Sequence, residues 1–207
     1  DVPSLAEFEG AGVFYWASAI EARLCEGEEI AMIGGGNSAG QAIAFLAPHA
    51  RRLHLFVRRP LAQTMSQYLV ERIAALPNVT VHVGQELAAL EGDDKTGLTG
   101  AIFRDSTTGN GSRMALRHLF LFIGADPNAD WARDCVATDD HGFVLTGTGS
   151  QPLETNKPGI FAIGDVRSGS TKRVAAAVGE GAAVVSQIHA KLAQMHADPA
   201  NPKLETI

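Results

Sequence analysis

The chain has 207 residues, of which 45% are hydrophobic and 19% charged, a composition typical of a globular protein. Its net charge of −6 argues against broad binding to nucleic acid or anionic membranes, which needs a basic surface. No apolar stretch reaches the roughly 18 residues that cross a membrane, and the acidic N-terminal segment is unlike a secretory signal. The two cysteines lie far apart, which favours reduced thiols, so we expect a cytoplasmic protein.

The first half of the chain predicts an alternating β-α-β-α-β unit. Apolar periodicity places strands at 29–33, 52–57 and 79–83, and helices at 38–46 and 66–76. Residues 85–123 then contain three strand candidates separated by turn-rich segments, which predicts an antiparallel three-stranded meander. We therefore expect an α/β fold with a Rossmann-like NAD(P)-binding domain, in which helices flank a parallel sheet.

The second half predicts two further strands and a long helix. The strands are expected at 142–145 and at 159–164, and the helix at 171–196. The second strand is interpreted as buried and as ending at Gly164-Asp165. Because α/β sheets bind ligands at the carboxyl ends of their strands, Asp165 becomes a candidate ligand contact, with a capping role as the alternative.

A glycine-rich turn follows the first predicted strand. Gly34, Gly36 and Ala39 fit the pattern G-x-G-x-x-[G/A] at the start of a helix. The first position allows the tight turn, the second lets the backbone approach a pyrophosphate, and the third lets helix and strand pack closely. The helix N-terminus offers unpaired N–H groups to the phosphates. We interpret the turn as a dinucleotide site, the alternative being an ordinary glycine turn.

Two arginines indicate which dinucleotide would bind. Arg58 and Arg59 follow the second strand, where NAD-binding proteins carry an acidic residue for the ribose 2′-OH. Guanidinium groups suit a 2′-phosphate instead. The sequence therefore favours NADP(H), although two solvated arginines at a strand end would give the same pattern.

These features together resemble the thioredoxin reductase family of flavoproteins, among the pyridine nucleotide-disulfide oxidoreductases. The family's Gly-Gly-Gly-Asn-[Ser/Thr]-Ala motif is matched by Gly34, Gly35, Gly36, Asn37, Ser38 and Ala39. Its next strand ends His-Arg-Arg-x-x-x-Arg, and this chain keeps Arg58 and Arg59 but not the histidine or the last arginine. "LFLFIGADPN", which contains Gly124, and "PGIFAIGDV" are similar to two further family motifs.

The resemblance implies two cofactors, NADP(H) and FAD, with a hydride passing from NADPH to the flavin. It implies that Asp165 contacts the flavin ribitol and that the helix start after it approaches the isoalloxazine. The cofactor-binding residues assigned in this way are Gly124, Gly164, Asp165, Lys172, Arg173 and Val174. The family usually has Arg-Gln-Ala at the last three positions, so Arg173 is a departure.

The redox dithiol of that family is missing. Its members reduce thioredoxin through Cys-Ala-Thr-Cys, whereas Trp16, Ala17, Ser18 and Ala19 occupy the corresponding stretch here. None of these four side chains can exchange a disulfide. Cys25 has no resolving neighbour, so we assign no catalytic residue, expect no thioredoxin reduction and leave the electron acceptor open.

The resemblance also implies a domain order. Residues 1–24 are expected to be a linker, 25–123 the NADPH-binding domain, and 124–207 the C-terminal part of a FAD-binding domain. The family's first FAD-binding unit is not seen, so we expect a portion of a longer flavoprotein that is inactive alone. Without that unit, apolar faces within 124–207 would be exposed to solvent. A second copy of the chain could bury them, so we expect a homo-oligomer. The alternative is a non-catalytic NADPH-binding or sensing module of a larger protein.

Overall fold

The computed structural model describes residue 2 and residues 4–93 and 95–197; the end of the predicted third region, 198–207, lies outside it. The chain forms two compact units, Asp1–Gly124 and Ala125–Ile207. The first unit contains all eight strands of the described residues, and the second contains the longest helix. Each unit has its own buried apolar cluster, as a separately packed body requires.

Strands and helices alternate along the first unit as far as its fourth strand, and four more strands follow. Its helices are α1 Ala19–Leu24, α2 Asn37–Leu46 and α3 Gln67–Ala74. Its strands are β1 Val13–Phe14, β2 Glu29–Ile33, β3 Arg52–Val57, β4 Val79–Val83, β5 Gln85–Asp93, β6 Gly97–Asp105, β7 Gly111–Ala115 and β8 Leu119–Leu121. The bounds of β2, β3 and β4 are those predicted from apolar periodicity, and α2 begins one residue earlier than predicted.

The strands form two sheets. A five-stranded sheet has the order β1-β8-β2-β3-β4, and every pairing in it is parallel. A three-stranded antiparallel sheet has the order β5-β6-β7. The predicted α/β fold is confirmed. All strands of the larger sheet run the same way. The turn after β2 and the loop after β3 therefore lie at the same edge, the one formed by the carboxyl ends of the strands.

The predicted three-stranded meander is confirmed, but its third strand is shorter than expected. The segment expected to form it is two strands: β7 completes the antiparallel sheet, while β8 pairs with β1 and β2 in the parallel sheet. Leu119, Phe120 and Leu121 are all buried, as a central parallel strand requires, whereas β7 is largely exposed. The apolar run alone did not show that the chain changes sheets within it.

The inner strands of the parallel sheet are covered on both faces. Side chains such as Met32 and Leu55 pack with α2 and α3 on one face. On the other face Phe56 and Leu121 pack with residues of the meander, including Phe103. Burial on both faces explains why β2 and β3 are nearly continuous apolar runs.

The second unit consists largely of loops and the helix α4, Val174–Ala197. The strands predicted at 142–145 and 159–164 were wrong. In the described part of this unit these segments make only isolated bridges, Thr138 with Val144, Val144 with Arg167, and Glu154 with Phe161. Ile160 is 40% exposed, so its segment is not the buried strand expected. Apolar composition predicted a strand, but a strand also needs a partner ladder, which composition cannot reveal.

Among the described residues no helix is both long and apolar enough to cross a membrane.

Candidate cofactor-binding sites

The glycine turn contains two glycines with different requirements. Gly34 has a φ of +146°, and a Cβ placed there would lie 2.5 Å from the carbonyl oxygen of Phe122. The fold therefore requires glycine at this position. Gly36 has a φ of −90°, which any residue can adopt, and an added Cβ would meet no atom within 4 Å. The chain itself does not need glycine there, but a ligand approaching the backbone would.

Free backbone donors lie beside that open space. The N–H groups of Gly36, Asn37 and Ser38 donate to no other group in the described ranges. They belong to the first turn of α2, where unpaired donors and the helix dipole create a partial positive charge. This geometry suits a phosphate or pyrophosphate.

The helix that begins at the turn packs closely on its neighbours. Ala39 is completely buried in the cluster between α2 and the sheet. A Cβ added to Gly40 would lie 2.9 Å from the sulfur of Met65 and 3.0 Å from Leu69 Cδ1. The glycine motif did not single out Gly40, whose lack of a side chain allows α2 to approach α3.

The two arginines lie at the same sheet edge. Val57, the last residue of β3, is buried, and Arg58 and Arg59 directly after it are exposed. Within the described part of the chain neither guanidinium has a hydrogen-bond or ion-pair partner. Residues 58–66 contain no Asp or Glu, so this loop offers no carboxylate to a ribose 2′-OH. Two unpaired cations on one loop fit a 2′-phosphate.

Two hydrogen bonds join this loop to the glycine turn. Thr64 Oγ1 donates to the Gly35 carbonyl oxygen at 2.7 Å, and the Ser66 N–H donates to Asn37 Oδ1, also at 2.7 Å. The sequence did not single out Thr64. Thr and Ser at 64 and 66 are typical of turns, and this gave a weak signal. Their hydrogen-bond partners, Gly35 and Asn37, lie 29 residues away in sequence, so local pattern could not indicate the contacts.

Two of the predicted residues in the second unit line a cavity. Gly164 is buried, has a φ of +70°, and donates its N–H to Glu180 at 2.7 Å. Lys172 Nζ donates to the Asp165 carbonyl oxygen at 2.6 Å and lies 3.9 Å from the centre of the Phe143 ring. Asp165 and Lys172 both line a cavity of about 180 Å³. The Asp165 carboxylate is exposed and available to a ligand.

The residues after Lys172 open toward solvent. Arg173 directly precedes α4, and Val174, its first residue, is 84% exposed. A carboxylate and an ammonium group beside a cavity fit part of a flavin. The cavity of about 180 Å³ is smaller than the roughly 300 Å³ at which ligand pockets begin, so these residues can surround only a portion. Gly124 does not line it; it ends the first unit with a φ of +117°.

Residues 16–18 directly precede the helix α1, which begins at Ala19 and was not predicted. Ser18 caps α1: its side chain accepts from the Ile20 N–H, and Glu21 accepts from the Ser18 N–H and hydroxyl. Trp16 is 59% exposed, and its indole N–H donates to Glu21 at 3.1 Å. The Ser18 hydroxyl, with smaller help from Trp16, lowers the pKa of Glu21. The Ser-x-x-Glu spacing of a capping box was the available signal.

The two cysteines are both free and differ in exposure. Cys25 is completely buried at the end of α1, and this burial, with nearby Glu21 and Glu28, raises its pKa to about 12. A neutral thiol does not exchange disulfides. Cys135 is exposed and belongs to the other unit. Throughout the described residues no three His, Cys, Asp or Glu side chains are grouped to hold a metal ion.

Comparison with known proteins agrees with this geometry. The chain is 32% identical over 158 residues to NADPH-dependent thioredoxin reductase 3 of Arabidopsis thaliana, covering 76% of this chain and 29% of the relative. It is 32% identical over 187 residues to thioredoxin reductase of Mycolicibacterium smegmatis, covering 88% and 57%. The crystal structure of Lactococcus lactis thioredoxin reductase superposes with a TM-score of 0.84 at 26% identity, covering 94% of this chain and 62% of that one.

These comparisons place the chain in a family. It spans between about a third and somewhat under two thirds of the length of these relatives. The family described as pyridine nucleotide-disulphide oxidoreductase matches residues 1–181, which is most of the chain. The resemblance to thioredoxin reductases drawn from the motifs is confirmed, and this protein belongs to the pyridine nucleotide-disulphide oxidoreductase family.

Proposed function

We propose that this chain is the NADPH-binding portion, with part of the flavin-binding portion, of an NADPH-dependent flavin oxidoreductase of thioredoxin-reductase-like architecture. One observation carries the proposal. The open turn at Gly36, with free N–H groups, and the unpaired Arg58 and Arg59 lie at the same edge of one parallel sheet.

Each part of the nucleotide has a matching group in the first unit. The N–H groups of Gly36, Asn37 and Ser38 would donate to the pyrophosphate. Arg58 and Arg59 would hold the 2′-phosphate, where a guanidinium fork can donate two parallel hydrogen bonds. The absence of a carboxylate on the loop at 58–66 supports NADPH over NADH.

The second unit would contribute to flavin binding. Asp165 would accept from hydroxyl groups of the ribitol, and the amide end of α4 would lie toward the ring system, as the family resemblance implies. Lys172 contacts the Asp165 carbonyl and the Phe143 ring, and so would hold the loop from Asp165 to Lys172 in place. The flavin supplies redox chemistry when bound; the protein binds it, orients it and sets its electrostatic surroundings.

We further propose that electrons do not leave through a dithiol in this chain. Ser18 caps the helix that begins at Ala19, and the buried neutral Cys25 has no partner thiol nearby. Thioredoxin itself is therefore not the expected acceptor. A small carrier protein, a quinone or another oxidant would suit a member without the dithiol.

Association and location are also proposals. The helix α4 exposes apolar side chains three, four or seven residues apart: Val174, Val178, Val185, Ile188, Leu192 and Met195. This spacing lines one face of a helix, and such a face requires a cover. We propose a homo-oligomer, and a cytoplasmic location consistent with two unpaired thiols.

Flavin content and acceptor preference test the redox part of this proposal. The natural protein, purified with any segments that flank these residues, should absorb as a flavoprotein. With NADPH it should reduce ferricyanide and leave an aromatic disulfide unreduced. A colourless protein that still binds NADPH would instead be a non-catalytic NADPH-binding module. Disulfide turnover would show that the assignment of residues 16–19 is wrong.

A further inference from the structure

The loop at 58–66 is fixed at both of its ends. It begins at buried Val57 and ends where Met65, 6% exposed, packs against the start of α2 beside Gly40. Near this second end, Thr64 Oγ1 donates to the Gly35 carbonyl oxygen at 2.7 Å. A loop held at both ends keeps its backbone in place while its exposed arginine side chains stay free to move.

The Thr64 hydrogen bond also orients a peptide of the glycine turn. The peptide joining Gly35 and Gly36 is planar and trans, so its carbonyl and its N–H point in opposite directions. Because the carbonyl points at Thr64, the Gly36 N–H is directed away from the loop. Without that contact the peptide of two glycines would rotate easily, since neither residue restricts its own backbone.

A second bond reinforces the same connection. Asn37 Oδ1 accepts from the Ser66 N–H at 2.7 Å, so the first residue of α2 is joined to the start of α3. The segments 35–37 and 64–66 are thus linked by two hydrogen bonds of equal length. Thr64 is the exposed member of the pair whose side chain can be changed without disturbing the core.

We propose that Thr64 is a positioning residue of the dinucleotide site. Its hydroxyl fixes the peptide whose N–H would meet the pyrophosphate, and it holds the arginine loop at a set distance from that turn. The proposal rests on the proposed NADP(H) function and adds to it a coupling between the pyrophosphate and 2′-phosphate subsites. Loss of the hydroxyl should lower the affinity for both nucleotides. The loss should be larger for NADPH than for NADH, because only NADPH uses both subsites.

Calorimetric titration of the full chain with NADPH and with NADH tests this. Thr64→Val keeps the side-chain shape but removes the hydroxyl. It should lower the affinity for NADPH about tenfold and the affinity for NADH about threefold, as expected when a hydrogen bond that orients the site is lost. Thr64→Ser restores a hydroxyl and should restore both affinities. Thr80→Val is the matched control, because Thr80 is exposed on β4, and it should change neither.

The outcomes separate the coupling from the proposed function. If the unchanged protein binds neither nucleotide, the proposed function fails. If it binds NADPH and Thr64→Val binds as well as the parent, the positioning role is wrong. Equal losses for NADPH and NADH would overturn the coupling of the two subsites. A lower unfolding temperature in Thr64→Val with unchanged selectivity would show a structural role only.

Discussion

Alanine at Gly34 and at Gly36 should have opposite consequences. At Gly34 the new Cβ would lie 2.5 Å from one backbone oxygen and 2.9 Å from the neighbouring carbon, at a φ of +146°. Backbone strain and overpacking each cost about 1–3 kcal/mol, so Gly34→Ala should lose roughly 3 kcal/mol or more of folding free energy. These are backbone atoms of Phe122, directly after β8, and they cannot rotate aside as a side chain could, so relaxation would recover little.

At Gly36 the protein offers no obstacle. An added Cβ meets nothing within 4 Å, and the φ of −90° suits alanine. Replacing a glycine N-cap with alanine costs up to about 1 kcal/mol of folding free energy. Alanine also reduces the conformational entropy of the unfolded chain, which stabilises the fold by about 0.4–1 kcal/mol. The two effects nearly cancel, so stability should change little. The methyl group would occupy the space through which a phosphate approaches, so NADPH affinity should fall at least about tenfold.

Urea denaturation and NADPH titration of both variants test this pair. The expected result is a destabilised Gly34→Ala protein and a stable Gly36→Ala protein that binds NADPH weakly. Unimpaired NADPH binding by Gly36→Ala would refute the interpretation of the open space as a phosphate site. A fully stable Gly34→Ala protein would refute the close contact with Phe122.

Two further results are expected. Backbone N–H donation from Gly159, then the ammonium of Lys191, lower the pKa of Glu154 to about 2, and its side chain is 1% exposed. A carboxyl with pKa about 2 when folded and 4.5 when unfolded contributes about 3 kcal/mol of stability above pH 4.5, which is lost as pH falls toward 2. Glu154→Gln should therefore be destabilised at pH 7 and much less so at pH 3 in urea denaturation; an equal deficit at both would contradict this. In the native protein an alkylating reagent should modify exposed Cys135 and spare Cys25, whose thiol is buried and neutral; mass spectrometry showing Cys25 modified first would contradict its assignment as inert.

Strong local patterns predicted the parallel part of the first unit. The apolar runs of β2 and β3 and the glycine turn between β2 and α2 gave the correct bounds because those two strands are buried by helices or the meander. The bounds of β4 were also predicted correctly, although this strand is partly exposed. In contrast, β8 was merged with β7. Its place between β1 and β2 depends on contacts with residues about 90 to 105 positions away, which local pattern does not contain.

The candidate sites show the same division. Gly34, Gly36 and Arg58 could be selected by spacing, since a motif ties each to a role. Thr64 could not, because its partner Gly35 is 29 residues distant and the contact exists only in the folded loop. The roles of Ser18 and Glu21 could have been predicted, because a capping box is a local signal whose two residues are three positions apart.

NADPH selectivity of arginine variants tests the central claim most directly. Arg58→Ala and Arg59→Ala, titrated calorimetrically in the full chain, should each bind NADPH at least about tenfold more weakly, as expected for loss of a charged hydrogen bond. Both should bind NADH as the parent does. Exposed Arg104 on β6 provides a control substitution that should leave both affinities unchanged. Equal losses of NADPH and NADH affinity, or no loss of either, would contradict an NADP(H) site at this sheet edge.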